Sequence, residues 1–205
     1  MDSIIFDLDG TLWDSTISAA DAWNDAIREH HMSQPHITAP LLQSLFGQTL
    51  PNIAANLFPD LSIQKRLEVV DRCCLRHYEL LLNNSIPPYP NAETTLQYLA
   101  DKYSLFIVSN CLYGYIEVFL KITNLGRYFK DHLCPGDTGN PKAANISEII
   151  ARNHLKSAIY VGDTDGDHKA ATAAGIPFVH ATYGFGQTDN VDYKIDDLSD
   201  LTKIF

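Results

Sequence analysis

The chain has 205 residues, 45% of them apolar and 20% charged, with a formal net charge of −10. That length suffices for one core, or for one core plus a small accessory domain, and no stretch is long and apolar enough to read as a membrane span. The acidic balance argues against nucleic-acid backbones and anionic membranes as partners, and no protein partner is indicated.

The elements follow in order. Ile4-Ile5-Phe6 is a short buried strand that stops at Asp7 and Asp9 before Gly10. Ser15 or Thr16 caps a helix running to about His31, with Ala19, Ala20, Trp23, Ala26 and Ile27 at helical spacing. Pro35, Thr38 and Pro40 punctuate; short helical stretches follow from Leu41 to Phe46 and from Asn52 to Leu57. Ser62 caps a long helix with Ile63, Leu67, Val70, Cys74, Tyr78 and Leu81 on one stripe, ended by Pro87 and Pro88. Residues 15–86 therefore read as an all-helical insert. Alternation then begins: a helix capped by Asn91, a strand at Leu105–Val108 ending in Ser109-Asn110, and a helix from about Tyr113 to Thr123. A short strand at 132–134, a helix from Asn145 to Asn153 and a strand at Ala158–Val161 ending in Gly162-Asp163 continue it. A helix from Asp167 to Ala174 and a strand at Phe178-Val179 close the series. Strands alternating with helices predict an α/β fold, a doubly wound parallel sheet, formed by 1–14 and 87–205 with the helical insert between.

Three strands thus end in polar tips, and in a parallel sheet such tips share one edge. Asp7 and Asp9 lie two residues apart, and carboxylates so close repel unless a cation or a division of labour separates them. Lys142 opens a helix between the second and third tips.

Phe6-Asp7-Leu8-Asp9-Gly10-Thr11-Leu12, then Ser109, Lys142 and Gly162-Asp163 through Asp167 resemble, in order, the four motifs of the haloacid dehalogenase-like hydrolases, in their phosphatase branch. The resemblance spans nearly the whole chain except the insert, which stands where that family carries a helical cap. It implies a Rossmann-like core and hydrolysis of a small phosphorylated metabolite through an aspartyl-phosphate. Asp7 would be the nucleophile and Asp9 the acid and base; Lys142 would neutralise charge. Ser109, Asn110 and Thr11 would bind substrate. Mg²⁺ would be held by Asp7, the Asp9 carbonyl and Asp163, with Asp167 acting through water or behind the ligands. One departure is that Ala143 follows the lysine where the family usually has proline; here Pro141 precedes it.

Several other features read as structural. Asp165 is exposed or helix-capping. The aspartates from Asp163 do not form a calcium loop, because His168 and Ala174 occupy the places of its glycine and glutamate. His30-His31 is a favourable helix-end contact. Cys111 is loop packing near the site, and Tyr183-Gly184-Phe185-Gly186 is a loop that shapes the entrance. Cys73, Cys74, Cys111 and Cys134 lack metal-ligand spacing and, with no secretion signal at the start, are expected as reduced cytoplasmic thiols; the sequons at Asn83 and Asn145 then carry no meaning. The cap is expected to close over the core about linkers near residues 14 and 87, with Arg28, Gln48, Arg72 and Arg76 as candidates for substrate choice.

The competing readings are a sugar-phosphate mutase resembling β-phosphoglucomutase, an inorganic pyrophosphatase of the same fold, and a receiver-like phospho-accepting module. The mutase expects a histidine where this chain has Ala19, and receivers lack a long helical insert and a late Gly-Asp motif. A dehalogenase lacks the second aspartate of the first motif.

Overall fold

The computed structural model describes residues 1–29 and 36–205; His30, His31 and Pro35, read above as a helix end and a break, lie outside them. Six strands, β1 (Ser3–Phe6), β2 (Ser104–Val108), β3 (Phe129–Leu133), β4 (Ala158–Gly162), β5 (Phe178–Ala181) and β6 (Tyr193–Ile195), form one parallel sheet in the order β3-β2-β1-β4-β5-β6. Successive residues of a strand face opposite sides. Ile4, Phe6, Leu105, Ile107, Val161 and Val179 accordingly pack into one core and Ile5, Phe106, Val108, Tyr160 and Phe178 into another. Helices α5 (Ala92–Ala100), α6 (Tyr115–Thr123) and α10 (Leu201–Ile204) cover the first face; α8 (Lys142–Arg152) and α9 (Asp165–Ala173) cover the second. A sheet sealed on both faces needs strands that are apolar throughout, and β1, β4 and β5 are buried at every position.

Between β1 and α5 run α1 (Thr16–Glu29), α2 (Ala39–Gln43), α3 (Leu50–Leu57) and α4 (Ile63–Asn83), with no strand among the described residues there. They bury a separate cluster that includes Trp23, Ile27, Leu42, Ile53, Phe58, Val70 and Cys73. The two connections lie side by side, the Tyr89 N–H donating to the Leu12 carbonyl at 2.8 Å.

The elements depart from expectation in instructive ways. The Ser15 hydroxyl does not cap α1; the Asp14 carboxylate accepts from the Thr16 N–H at 2.9 Å instead. On α4, Ile63 is 74% exposed, and the buried stripe is Val69, Val70, Cys73, Cys74, His77 and Leu81, because only the later turns of the helix meet α1 and the core. Asn91 precedes α5 in a left-handed conformation (φ 62°) but makes no side-chain cap. Helix α9 begins at Asp165, two residues early, because Thr164 and Asp167 form a capping box. Strand β3 reaches back to Phe129, and Cys134 leads into the short α7 (Pro135–Thr138). Strand β6 and α10 were not expected at all. The four cysteines are unpaired and buried.

Candidate active site

In this strand order the chain reverses its direction of travel between β1 and β4, which is where open α/β sheets bind ligands. Asp7 and Asp163 follow those two strands. The Asp7 N–H donates to the Val161 carbonyl at 2.8 Å, so the neighbouring strand fixes its position.

Asp7, Asp163 and Asp167 are all buried, and each offers a carboxylate oxygen within 4.8 Å of the other two. Lys142, also buried, donates from Nζ to Asp7 at 2.8 Å and to Asp167 at 2.5 Å. Burial opposes the lysine's charge, but Asp167 and Asp7 outweigh it and hold its pKa above the ordinary lysine range. The lysine reaches this point because Pro141 is extended and starts α8, while Thr138 and Asn140 bond to Asn145 and pin the preceding turn. Asp167 is fully engaged: one oxygen accepts from Lys142, the other from the Thr164 N–H and hydroxyl.

Asp163 accepts from the Phe185 N–H at 2.7 Å and from the Thr11 hydroxyl at 3.3 Å. Burial, then the charges of Asp167 and Asp7, push its pKa well above the ordinary range. The Tyr183–Gly186 loop thus supports a carboxylate directly, and Thr11 holds Asp163 too. Space here is tight: a Cβ on Gly184 would lie 2.2 Å from the Asp163 Cβ, and one on Gly10 (φ +80°) 2.1 Å from its carboxylate. Two glycines are therefore required to pack two loops against this one side chain.

Asp9 stands apart from that cluster. Its Oδ1 accepts from the hydroxyls of Ser15 at 2.8 Å and Tyr115 at 2.9 Å. Burial pushes its pKa up to about 7, against the lowering effect of those two hydrogen bonds. Burial also pushes Asp7 up, to about 6, with Lys142 opposing and the Asp167 charge reinforcing the rise. The two carboxyls of the first motif therefore have different partners, one a lysine and the other two hydroxyls. That difference suits one to stay ionised and the other to exchange protons near neutrality.

Ser109 and Asn110 follow β2 on the same edge. Asp7, Asp9, Ser109 and Asn110 line a cavity of about 40 Å³, roofed from the insert by residues including Trp23, Phe46 and His77. The insert is drawn down on the edge, since the Asn110 side chain donates to the Gly47 carbonyl at 2.9 Å. Beside it lies a wider cleft of about 430 Å³, with Gln48 on the insert side and Thr164, Phe185 and Gln187 on the sheet side. Cys111 lines the cavity, and burial first of all holds its thiol well above its usual pKa. Asp165 is exposed and paired with Lys169. Of the cap candidates, only Gln48 lies on a cleft beside the site. Arg28 pairs with Asp25 and Arg76 with Glu79, and neither they nor Arg72 lines the cavity. The residues that sequence reasoning missed are Ser15, Tyr115, Trp23 and His77.

This fold and this site define an α/β enzyme with a buried cluster of carboxylates, Asp7, Asp163 and Asp167, that could hold a cation. A family model described as haloacid dehalogenase-like hydrolase matches residues 4–181. Phosphoglycolate phosphatase from Aquifex aeolicus is 29% identical, over 98% of this chain and 95% of its own. Phosphoglycolate phosphatase from Xanthomonas campestris pv. campestris is 27% identical, over 95% of this chain and 90% of its own. Among solved structures, a haloacid dehalogenase-like hydrolase from Streptococcus pneumoniae superposes with a TM-score of 0.86 at 23% identity, covering 100% of this chain and 98% of that one. The chain belongs to the haloacid dehalogenase-like hydrolases, and its activity is of the phosphatase kind. No helix among the described residues is long and apolar enough to cross a membrane.

Proposed function

We propose that the protein is a Mg²⁺-dependent phosphohydrolase of a small phosphorylated metabolite, acting through an aspartyl-phosphate on Asp7. The observation that carries this reading is the contrast between the two motif carboxyls: Asp7 is held by Lys142, Asp9 by Ser15 and Tyr115. An Asp7 oxygen attacks phosphorus while the bond to the leaving oxygen breaks, and Asp9 delivers its proton to that oxygen. Asp9, now ionised, takes a proton from water; the resulting hydroxide attacks phosphorus, frees phosphate and restores Asp7. Lys142 and the Ser109 hydroxyl would hold phosphoryl oxygens, with the Asn110 backbone beside them.

The donor set fits a hard divalent cation: three buried carboxylates lie around one positive side chain, and burial, reinforced by the charge of neighbouring aspartates, raises the pKa of Asp7 and Asp163. Asp7, Asp163 and the Asp9 carbonyl would hold it, while Asp167 serves by fixing Lys142. When bound, Mg²⁺ supplies charge neutralisation at the phosphoryl group. The helices of 15–86 would be the cap, moving about the paired linkers to admit substrate.

The test is phosphate release from p-nitrophenyl phosphate and a panel of metabolites that includes phosphoglycolate, the ester named for the relatives above. Turnover with Mg²⁺, its loss in EDTA and its loss in Asp7→Asn are expected. A wild type silent on every ester would overturn the reading.

A further inference from the structure

Two hydroxyls converge on one oxygen of Asp9. Ser15, in the connection to α1, and Tyr115, the first residue of α6, both donate to Oδ1, and their own oxygens lie 2.7 Å apart. Both residues are buried. The Ser15 hydroxyl alone would satisfy the phenol, so the bond to Asp9 is not needed to bury Tyr115.

The Tyr115 ring is packed by both parts of the chain. On the core side its centroid lies 5.7 Å from that of Trp13. On the insert side it lies 5.5 Å from Tyr78, with the rings 23° from parallel, and 5.8 Å from His77; both residues belong to α4. The Tyr78 hydroxyl donates to the Leu112 carbonyl at 3.0 Å, which ties α4 to the turn that leads into α6. A phenol oxygen is carried by a rigid ring with only two side-chain torsions, so ring packing decides where it stands. Two of the three rings that pack it come from the insert.

We propose that Tyr115 is a positioning residue: it holds Asp9 in place for proton transfer, and it does so through a ring seated against α4, so that the acid is set when the insert is seated. This rests on the phosphohydrolase reading above. A shift of about 1 Å from a productive geometry can cost about a hundredfold in rate, so the placement of one carboxyl oxygen matters to the chemistry.

The experiment compares kcat/KM for p-nitrophenyl phosphate with that for the fastest alkyl ester of the panel, ethyl phosphate included. This constant reports the steps up to departure of the leaving group. An alkoxide needs a proton as it leaves, whereas p-nitrophenolate is a stable anion and does not. Tyr115→Phe keeps the ring and removes only the hydroxyl; with Ser15 still in place, the ratio of alkyl to p-nitrophenyl ester should fall about tenfold. Tyr78→Leu leaves both hydroxyls and removes one ring from the packing; the ratio should fall about threefold. A general loss of packing lowers both esters together and, like a loss of folded protein, cancels from the ratio. An unchanged ratio in Tyr115→Phe would overturn the positioning role. An unchanged ratio in Tyr78→Leu would overturn its dependence on the insert. A wild type that turns over p-nitrophenyl phosphate but no alkyl ester would overturn this inference alone; one silent on both would remove the phosphohydrolase reading beneath it.

Discussion

At Asp9 the fold favours the protonated acid, because burial raises its pKa from the ordinary 3.8 to about 7. The stabilisation tied to this group is complete below the ordinary value and is lost as pH rises towards the folded one. A carboxyl moved that far implies a penalty on the order of 4 kcal/mol once it is ionised. Asp9→Asn mimics the protonated form and still accepts from Ser15 and Tyr115. In EDTA its Tm should match the wild type near about pH 4 and exceed it by several degrees near about pH 8. A Tm difference that does not change with pH would refute this account of Asp9. Lys142 has the opposite logic, since among the described residues it is the cation that pairs with Asp7 and Asp167. Lys142→Met should lower kcat at least about a hundredfold and destabilise the fold by about 3–5 kcal/mol, as breaking a buried ion pair does. Denaturant unfolding and turnover measured on one preparation check both halves, and an unimpaired kcat would exclude the lysine from the chemistry.

At the scale of elements, the cap motion proposed above predicts that the insert lifts to admit substrate to the cavity beneath it. Gln48 on the insert and Gln187 on the core line the same cleft, and the native cysteines are all buried. A Gln48→Cys, Gln187→Cys pair bridged by a bis-maleimide should therefore lose turnover at least about tenfold, with each single variant alkylated as a control. Full activity in the bridged protein would rule out cap motion. The sheet edge was legible because Ile4–Phe6, Leu105–Val108 and Ala158–Val161 are short hydrophobic runs, followed by Asp7, by Ser109 and, after Gly162, by Asp163. Tyr115 was not legible, because its partners Asp9 and Ser15 are over a hundred residues away or nearly so, and such a bond leaves no local pattern. His77 was hidden for another reason. The stripe drawn on α4 followed apolar residues, including the exposed Ile63, while the face that packs is shifted and includes an imidazole. Strand β6 escaped notice because two of its three residues, Tyr193 and Lys194, are exposed.

Across the whole molecule a net charge of −10 surrounds a site meant for an anion. Lys142 cannot offset this at long range, since it is buried and already paired with two carboxylates. The field should therefore slow the approach of a phosphate ester and weaken its first encounter, the reverse of electrostatic steering. Screening lengths shrink from about 30 Å at about 0.01 M salt to about 8 Å at about 0.15 M. At saturating Mg²⁺, kcat/KM should then rise a few-fold over that range of added NaCl, while kcat stays level because the bound complex is shielded from the outer charge. Ethyl phosphate and p-nitrophenyl phosphate should show the same slope, since the effect depends on the charge of the phosphoryl group and not on the leaving group. A kcat/KM that falls with salt would mean a local positive funnel outweighs the acidic surface. Arg66, which donates to carbonyls within the insert, and the exposed pairs of Arg28 and Arg76 provide no such funnel at the cavity.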